Sequence, residues 1–224
     1  SLGGQTKHYL DDTYNPCGSS SGSAVAVSMG IVDIAIGTET NGSISCPSSV
    51  NGIVGMKPTT GLVSRSGIVP ISSSQDTAGP MGASVDIVAK TLEVISGYDE
   101  NDPATSLIPS NFDFNFSSVT KNISLKGVRL GLLDSENSNP KVIKLHKKIK
   151  EIINSLGGEV ILINDDRDYP GDAEYYVLLY EFRVGLEDYL KNTNSSMKKI
   201  TDIIDFNNKN KDIVMPYFGQ DIFY

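Results

Sequence analysis

Residues 16–24 read PCGSSSGSA, a run of small hydroxyl residues and glycines that opens directly into an apolar stretch. Ser23 to Met29 is small and apolar on every side, which is typical of a helix packed inside other elements. Glycines let backbone N–H groups crowd together, and a helix N-terminus adds a positive partial charge. The segment therefore predicts a tight turn and a buried helix, with a place for an anion or a developing oxyanion at their junction.

A second turn of small residues follows the next apolar run. Ile31 to Ile36 is rich in β-branched residues and closes on Gly37, which predicts a buried strand ending in a turn. The turn continues as TETNGSISCP from Thr38 to Pro47 and displays the hydroxyl of Ser43. A hydroxyl on such a turn, beside free N–H groups, suits the nucleophile of an acyl transfer. Taken alone, each turn is equally consistent with a Gly/Ser loop that caps a helix.

The remaining chain alternates predicted helices and strands. We expect helices over 85–95, 140–156 and 172–191, and strands over 127–133 and 159–163. The βαβ order of 127–163 predicts parallel strands with a right-handed crossover. Between the halves, residues 97–122 lack sustained periodicity and are typical of a long connecting loop. Burial candidates in the helix over 172–191 are spaced at helical intervals: Tyr175, Leu179, Phe182, Leu186 and Leu190.

Composition excludes several classes of protein and site. The 224 residues carry 27 acidic and 19 basic side chains and no basic stripe, which disfavours nucleic acid or an anionic membrane as a partner. No apolar run reaches the roughly 18–20 residues of a membrane span. Cys17 and Cys46 do not make the disulfide framework of a small secreted domain, so we expect a reducing, cytoplasmic location. With two histidines and no Cys-x-x-Cys spacing, a zinc site would be hard to assemble, so we expect no metal.

Taken together, the two turns resemble the signature of a known family. Residues 18–24 (GSSSGSA), 35–44 (AIGTETNGSI) and 52–59 (GIVGMKPT) are similar to the amidase signature family of serine hydrolases, and residues 61–65 and 76–81 extend the likeness. The resemblance implies an α/β fold with a mixed β-sheet core flanked by α-helices, present here as an incomplete copy. We expect one domain, with its signature core over 1–98, a connecting loop over 99–122 and a peripheral α/β portion over 123–224.

The resemblance also implies a Ser–Ser–Lys triad. Ser43 corresponds to the nucleophile, and Ser19 corresponds to the bridging serine on a cis peptide bond that relays the proton. The backbone N–H groups of Thr40, Asn41 and Gly42, with that of Ser43, would hold the oxyanion. Thr38 and Ser20 are similar to supporting hydrogen-bond residues, for which a purely structural role is an equal alternative.

The lysine of the triad has no counterpart in this sequence. In the family it precedes the first turn by some tens of residues, and neither Lys7 nor Lys57 matches its motif. A serine hydroxyl needs an adjacent base, so we expect the chain to be largely inactive alone. The alternatives are a non-catalytic binding or interaction remnant of the fold, or an enzyme completed by a separate lysine-bearing segment.

The residue after Ser43-Ile44 bears on the substrate. The family member that amidates misacylated tRNA typically has an arginine there, which grips a substrate carboxylate. This chain has Ser45, which favours the stand-alone amidases and peptide amidases over a protein like the glutamyl-tRNA amidotransferase A component. The reaction that the resemblance implies is hydrolysis of a small-molecule carboxamide through an acyl-Ser43 intermediate, which requires no cofactor.

Overall fold

The computed structural model describes residues 3–121, 124–133, 139–164, 168 and 171–224. Helices in these ranges are α1 (Ser21–Ser28), α2 (Ser45–Val50), α3 (Val85–Ile95), α4 (Pro140–Ser155), α5 (Gly171–Lys191), α6 (Ile200–Lys209) and α7 (Lys211–Val214). Strands are β1 (Ile34–Glu39), β2 (Val54–Gly55), β3 (Thr77–Gly82), β4 (Arg129–Leu133) and β5 (Glu159–Ile163). Short 3₁₀ helices lie at Pro103–Leu107, Phe116–Lys121 and Asp221–Phe223. The α/β fold class is confirmed; the described strands form one antiparallel and one parallel sheet where a mixed sheet was expected.

The chain divides into two compact units. Residues 1–117 and 171–224 form the first unit, and residues 118–170 form the second. Residues 171–224 therefore group with the first half of the chain, whereas the sequence-based division placed them with 123–170. The segment expected to be a connecting loop contains two 3₁₀ helices and spans the boundary between the units; its last residue, Asn122, lies outside the described residues.

The first unit is built on an antiparallel sheet in the order β1-β3-β2. Every residue of β3, the central strand, is buried. One core cluster joins Met81 of β3 to Ala24 and Ile44, and another joins Ala78 of β3 to Val63 and Leu92. Because successive residues of a strand point to opposite faces, Ala78 and Met81 bury the two faces of the sheet. Helices thus cover both sides of β3.

The strand β1 differs from its prediction. It covers Ile34–Glu39 instead of 31–36, and Ile34 and Ile36 are exposed, not buried. Gly37 lies inside the strand and does not end it. A Cβ at this position would be 2.7 Å from the Met81 Sδ and 2.9 Å from the Ser20 Oγ. A glycine is therefore needed for close packing, and the strand continues for two more residues to Glu39.

The second unit consists of β4, α4 and β5. The two strands pair in parallel, in a register from Arg129 opposite Glu159 to Leu133 opposite Ile163. This pairing confirms the parallel βαβ order predicted for 127–163. The apolar face of α4 is half-buried at Ile143, Ile149 and Ile153.

The burial predicted for α5 is partly right. Leu186 and Leu190 are buried, and Leu179 and Phe182 are half-buried. Tyr175, which was expected to be buried, is 51% exposed. Helical spacing gave the correct face from Leu179 to Leu190, and it failed at Tyr175 in the first turns.

Candidate active site

The first small-residue turn packs against β1 through its serine hydroxyls. The peptide bond between Gly18 and Ser19 is cis, as the resemblance implies. The Ser20 hydroxyl donates to the Thr38 carbonyl and accepts from the Thr38 N–H, both at 3.2 Å. The Ser23 hydroxyl donates to the Ile36 carbonyl at 2.8 Å. These side chains satisfy backbone groups along β1, which fixes the start of α1, and Ser19 with it, against the strand.

Glu39 organises the second turn. Its carboxylate accepts the N–H groups of Gly42, Ile44 and Ser45 at 2.7–2.8 Å, and it is only 6% exposed. Burial acts to raise the pKa of Glu39, but the hydrogen bonds from Ser45, Ile44 and Gly42 together outweigh burial and hold that pKa below its usual value. An ionised carboxylate therefore holds the backbone on both sides of Ser43.

Glu39 changes the set of donors available to the predicted oxyanion hole. The Gly42 N–H, one of its expected donors, already donates to Glu39 at 2.8 Å. Gly42 also has a φ of +89°, a conformation that glycine adopts without strain. Gly42 therefore shapes the turn, and the N–H groups of Thr40, Asn41 and Ser43 remain the predicted donors.

Both predicted catalytic serines line one small cavity. Its polar lining includes Ser19, Thr38, Thr40 and Ser43, so the structure brings the two turns together as the sequence predicted. Ser43 is half-buried and Ser19 is exposed. Among the described residues, the lining is completed by Glu39, Arg65, Ile68, Val69, Ile71, Asp76 and Thr77. The predicted site residues Ser20, Asn41 and Gly42 lie beside the cavity and not in its lining.

Asp76 links the second turn to the apolar wall of the cavity. One carboxylate oxygen accepts the Thr40 hydroxyl at 2.5 Å. The other oxygen accepts the N–H groups of Ile71 and Ser72 at 2.7 and 2.9 Å. Sequence reasoning missed both Asp76 and Glu39 as parts of the site. The signal available in the sequence was an acidic residue within each run of small residues. Glu39 lies four positions before Ser43.

The cation in the cavity wall is already paired. Arg65 donates to both carboxylate oxygens of Asp102 at 2.9 Å and to the Ser73 carbonyl at 2.5 Å. The hydrogen bond from Arg65 is the main reason that the pKa of Asp102 falls to about 2, and the same pair raises the pKa of Arg65. The positive charge of Arg65 is therefore held by this chain's own carboxylate.

Neither lysine weighed as a substitute base belongs to the cavity lining. Lys7 forms an exposed ion pair with Asp12 at 3.0 Å. Lys57 donates to the carbonyl of the lining residue Thr40 at 2.6 Å, but Lys57 itself does not line the cavity. Within the described ranges, no lysine lines the cavity that contains Ser19 and Ser43.

The two cysteines form a disulfide. Cys17 and Cys46 are bonded, with 5.9 Å between their Cα atoms. Counting cysteines did not predict this bond, because two cysteines distant in sequence say nothing about proximity in the fold. Within the described residues there is no cluster of three or more side chains suited to a metal ion. No described helix is both long enough and apolar enough to span a bilayer.

Comparison with known proteins decides the family. A family model described as Amidase matches residues 1–215. The chain belongs to the amidase family. This membership confirms the amidase signature resemblance that the two Gly/Ser turns carry.

Amidases are also prominent among the individual relatives. A probable amidase of Arabidopsis thaliana is 37% identical over 93% of this chain and 41% of its own length. The native peptide amidase of Stenotrophomonas maltophilia superposes with a TM-score of 0.92 at 41% identity, over 99% of this chain and 46% of that one. A putative amidase of Schizosaccharomyces pombe is 33% identical over 99% of this chain and 43% of its own length. The chain spans less than half the length of these relatives.

Proposed function

We propose that this chain is part of an amidase that hydrolyses a carboxamide C–N bond through an acyl-Ser43 intermediate. The observation that carries the proposal is the placement of Ser19 and Ser43 in one cavity, although they lie 24 residues apart in sequence. The membership of the amidase family supports the same assignment.

In the proposed mechanism, the Ser43 oxygen attacks the amide carbon while its proton passes to Ser19 and the Ser19 proton passes to a neutral lysine amine. The N–H groups of Thr40, Asn41 and Ser43 bind the oxyanion of the tetrahedral intermediate. The C–N bond then breaks, and the proton returns through Ser19 to the leaving amine. Water hydrolyses the Ser43 ester and releases the carboxylic acid.

The proposal includes a lysine from polypeptide outside these 224 residues, because no described lysine lines the cavity. For the substrate, we infer a neutral amide with an apolar acyl part, such as a peptide amide. Ile68, Val69 and Ile71 line the cavity, and Arg65 is occupied by Asp102, so no unpaired cation among the described lining residues would receive a substrate carboxylate. The likeness to a peptide amidase supports this class over glutamine.

A chimaera tests the proposal directly. This chain would replace the matching 46% of the Stenotrophomonas maltophilia peptide amidase, which supplies the rest of the fold. We expect the chimaera to hydrolyse a C-terminal peptide amide and to lose that activity in Ser43→Ala and Ser19→Ala. The 224-residue chain alone should show little turnover, and clear turnover that Ser43→Ala abolishes would contradict that part. A folded chimaera without turnover would favour the binding remnant instead.

The cytoplasmic location stays a prediction, and the structure weighs against its premise. Disulfides form and persist mainly in oxidising compartments and are rare in the cytosol of mesophiles. The Cys17–Cys46 bond therefore favours an oxidising environment. Nonreducing mass analysis of the protein isolated from its native cells would distinguish the two locations.

A further inference from the structure

The two segments that carry the predicted catalytic serines are joined covalently. Cys17 lies two residues before Ser19, and Cys46 lies three residues after Ser43. Their Cα atoms are 5.9 Å apart, inside the range of about 4.4–6.8 Å that a disulfide spans without backbone movement. The crosslink thus closes a loop whose two ends are the two halves of the proposed site.

Hydrogen bonds join the same two segments beside the disulfide. The Ser20 N–H donates to the Ser43 carbonyl at 3.2 Å. The buried amide of Asn51 donates to the carbonyls of Pro16 and Pro47, at 2.9 and 2.8 Å. These contacts place the crosslink within a local junction between the first turn and α2.

The backbone at Cys17 needs such support. Its φ is +59°, and among the described residues it is the one non-glycine residue with a positive φ. This left-handed region is unfavourable for residues with a Cβ and persists where surrounding structure holds it. A bond from the Cys17 side chain to α2 opposes the rotation that would relieve this conformation, and Ser19 follows two residues later.

We propose that the Cys17–Cys46 disulfide is a positioning crosslink that holds Ser19 in place beside Ser43. The inference rests on the proposed function, because it treats these serines as the reacting pair. Both cysteines are partly exposed, so a small dithiol has access to the bond. Reduction breaks the S–S bond with two electrons and two protons from the dithiol, which becomes a disulfide, and it leaves two thiols on this chain.

The first experiment establishes the bond itself. The 224-residue chain is purified without reductant, denatured and treated with iodoacetamide before and after dithiothreitol, and its intact mass is measured. We expect alkylation of two cysteines only after reduction. Alkylation of both without reductant, in protein prepared under oxidising conditions, would overturn the proposal.

The second experiment tests positioning by NMR of ¹⁵N-serine-labelled protein. The samples are the oxidised chain, the reduced chain, Cys17→Ala/Cys46→Ala and Cys17→Gly/Cys46→Ala. Loss of the crosslink should shift or broaden the amide peaks of Ser19, Ser20 and Ser43, while Ser84 at the start of α3 keeps its position. The glycine variant should recover part of the original pattern, because glycine adopts a positive φ without strain.

Two results would contradict positioning. Unchanged peaks for Ser19 and Ser43 after reduction would mean that the crosslink does not hold them, even if reduction lowers the melting temperature of the chain. Loss of the Ser84 peak together with the others in all three uncrosslinked samples would mean that the bond supports the whole unit. Neither measurement needs turnover, so a failed amidase assay and a failed positioning test are separate results.

Discussion

Glu39 illustrates how one residue shapes the turn around Ser43. The N–H groups of Gly42, Ile44 and Ser45 converge on its carboxylate, from positions before and after the serine. Hydrogen bonds to an ionised acceptor are stronger than neutral ones, and buried donors that lose their acceptor are costly. Glu39 therefore acts on Ser43 by fixing its backbone and not by touching the reacting atoms.

The substitution Glu39→Gln tests this role. The new amide group would present N–H donors to backbone N–H donors, leaving at least one of them unsatisfied. We expect the free energy of unfolding to fall by about 2–3 kcal/mol. Denaturant unfolding at neutral pH measures it, with Glu151→Gln as a control that should change stability by less than about 0.5 kcal/mol, because Glu151 is exposed. Equal effects in the two variants would contradict the prediction.

Asp102 gives a pH-dependent prediction at the same scale. Its pKa is about 2 in the folded chain, against an ordinary value of 3.8, chiefly because Arg65 donates to it. A lowered folded pKa means that the stabilisation is complete above about pH 4 and is lost as the pH falls toward 2. Its size is about 2 kcal/mol.

The substitution Asp102→Asn should remove that contribution. Unfolding measured from pH 6 down to pH 2 should show a shallower decline for the variant than for the unmodified chain, with the two curves converging at the acid end. The variant should also be less stable near neutral pH, because Arg65 loses its anionic partner. Parallel curves over the whole range would show that Asp102 does not titrate with folding.

At the scale of elements, α5 connects the two loops that border the cavity. Glu174 accepts the Asn41 side-chain amide at 2.8 Å. Glu181 accepts the Ser72 hydroxyl, the Ser74 hydroxyl and the Ser74 N–H at 2.5, 2.9 and 3.1 Å. Seven residues are two helical turns, so both carboxylates lie on one face of α5. The helix thus holds the Ser43 turn and the loop after Ile71 from one side.

Removing the Glu181 carboxylate should loosen that loop. In Glu181→Ala, we expect the backbone amides of residues 72–75 to exchange with deuterium about 10- to 100-fold faster, since hydrogen bonds to a charged group contribute about 1.5–3 kcal/mol. Hydrogen exchange read by mass spectrometry measures the change. Asp188→Asn on the same helix is the control, because Asp188 pairs with Lys191 on the exposed side. Unchanged exchange at 72–75 would remove the role given to Glu181.

At the scale of the whole molecule, the first unit combines two segments that are distant in sequence, residues 1–117 and 171–224. Its two buried clusters come from residues 1–117, and α5 adds the contacts to Asn41, Ser72 and Ser74. Residues 118–170 form a separate unit with its own parallel strand pair. The first unit is therefore expected to fold without the second.

Replacing residues 118–170 by a flexible Gly/Ser linker tests this independence. We expect the shortened protein to unfold cooperatively on heating and to keep the Cys17–Cys46 disulfide. Circular dichroism and nonreducing mass analysis measure both properties. A noncooperative transition would mean that the first unit depends on the second for its core.

The sequence by itself determined several local elements and the family. The helix over 85–95 begins and ends where its pattern predicts, because its apolar spacing, the Ser84 cap and Gly97 all act within a few residues. The two Gly/Ser turns likewise carry Ser19 and Ser43 in their own sequence. The local sequence did not predict that β1 covers Ile34–Glu39, because the close packing at Gly37 depends on Met81 and Ser20.

Only the tertiary structure decided which side chains complete the site. The contacts of Asp76 with Thr40, Ser20 with Thr38, Glu181 with Ser74 and Cys17 with Cys46 each join residues 18 or more positions apart. Periodicity and turn chemistry report the conformation of neighbours along the chain, whereas these pairs form because packing around β3 brings separate segments together. The sequence predicted Ser19 and Ser43 as the reacting pair, and the fold supplied the carboxylates and the crosslink that surround them.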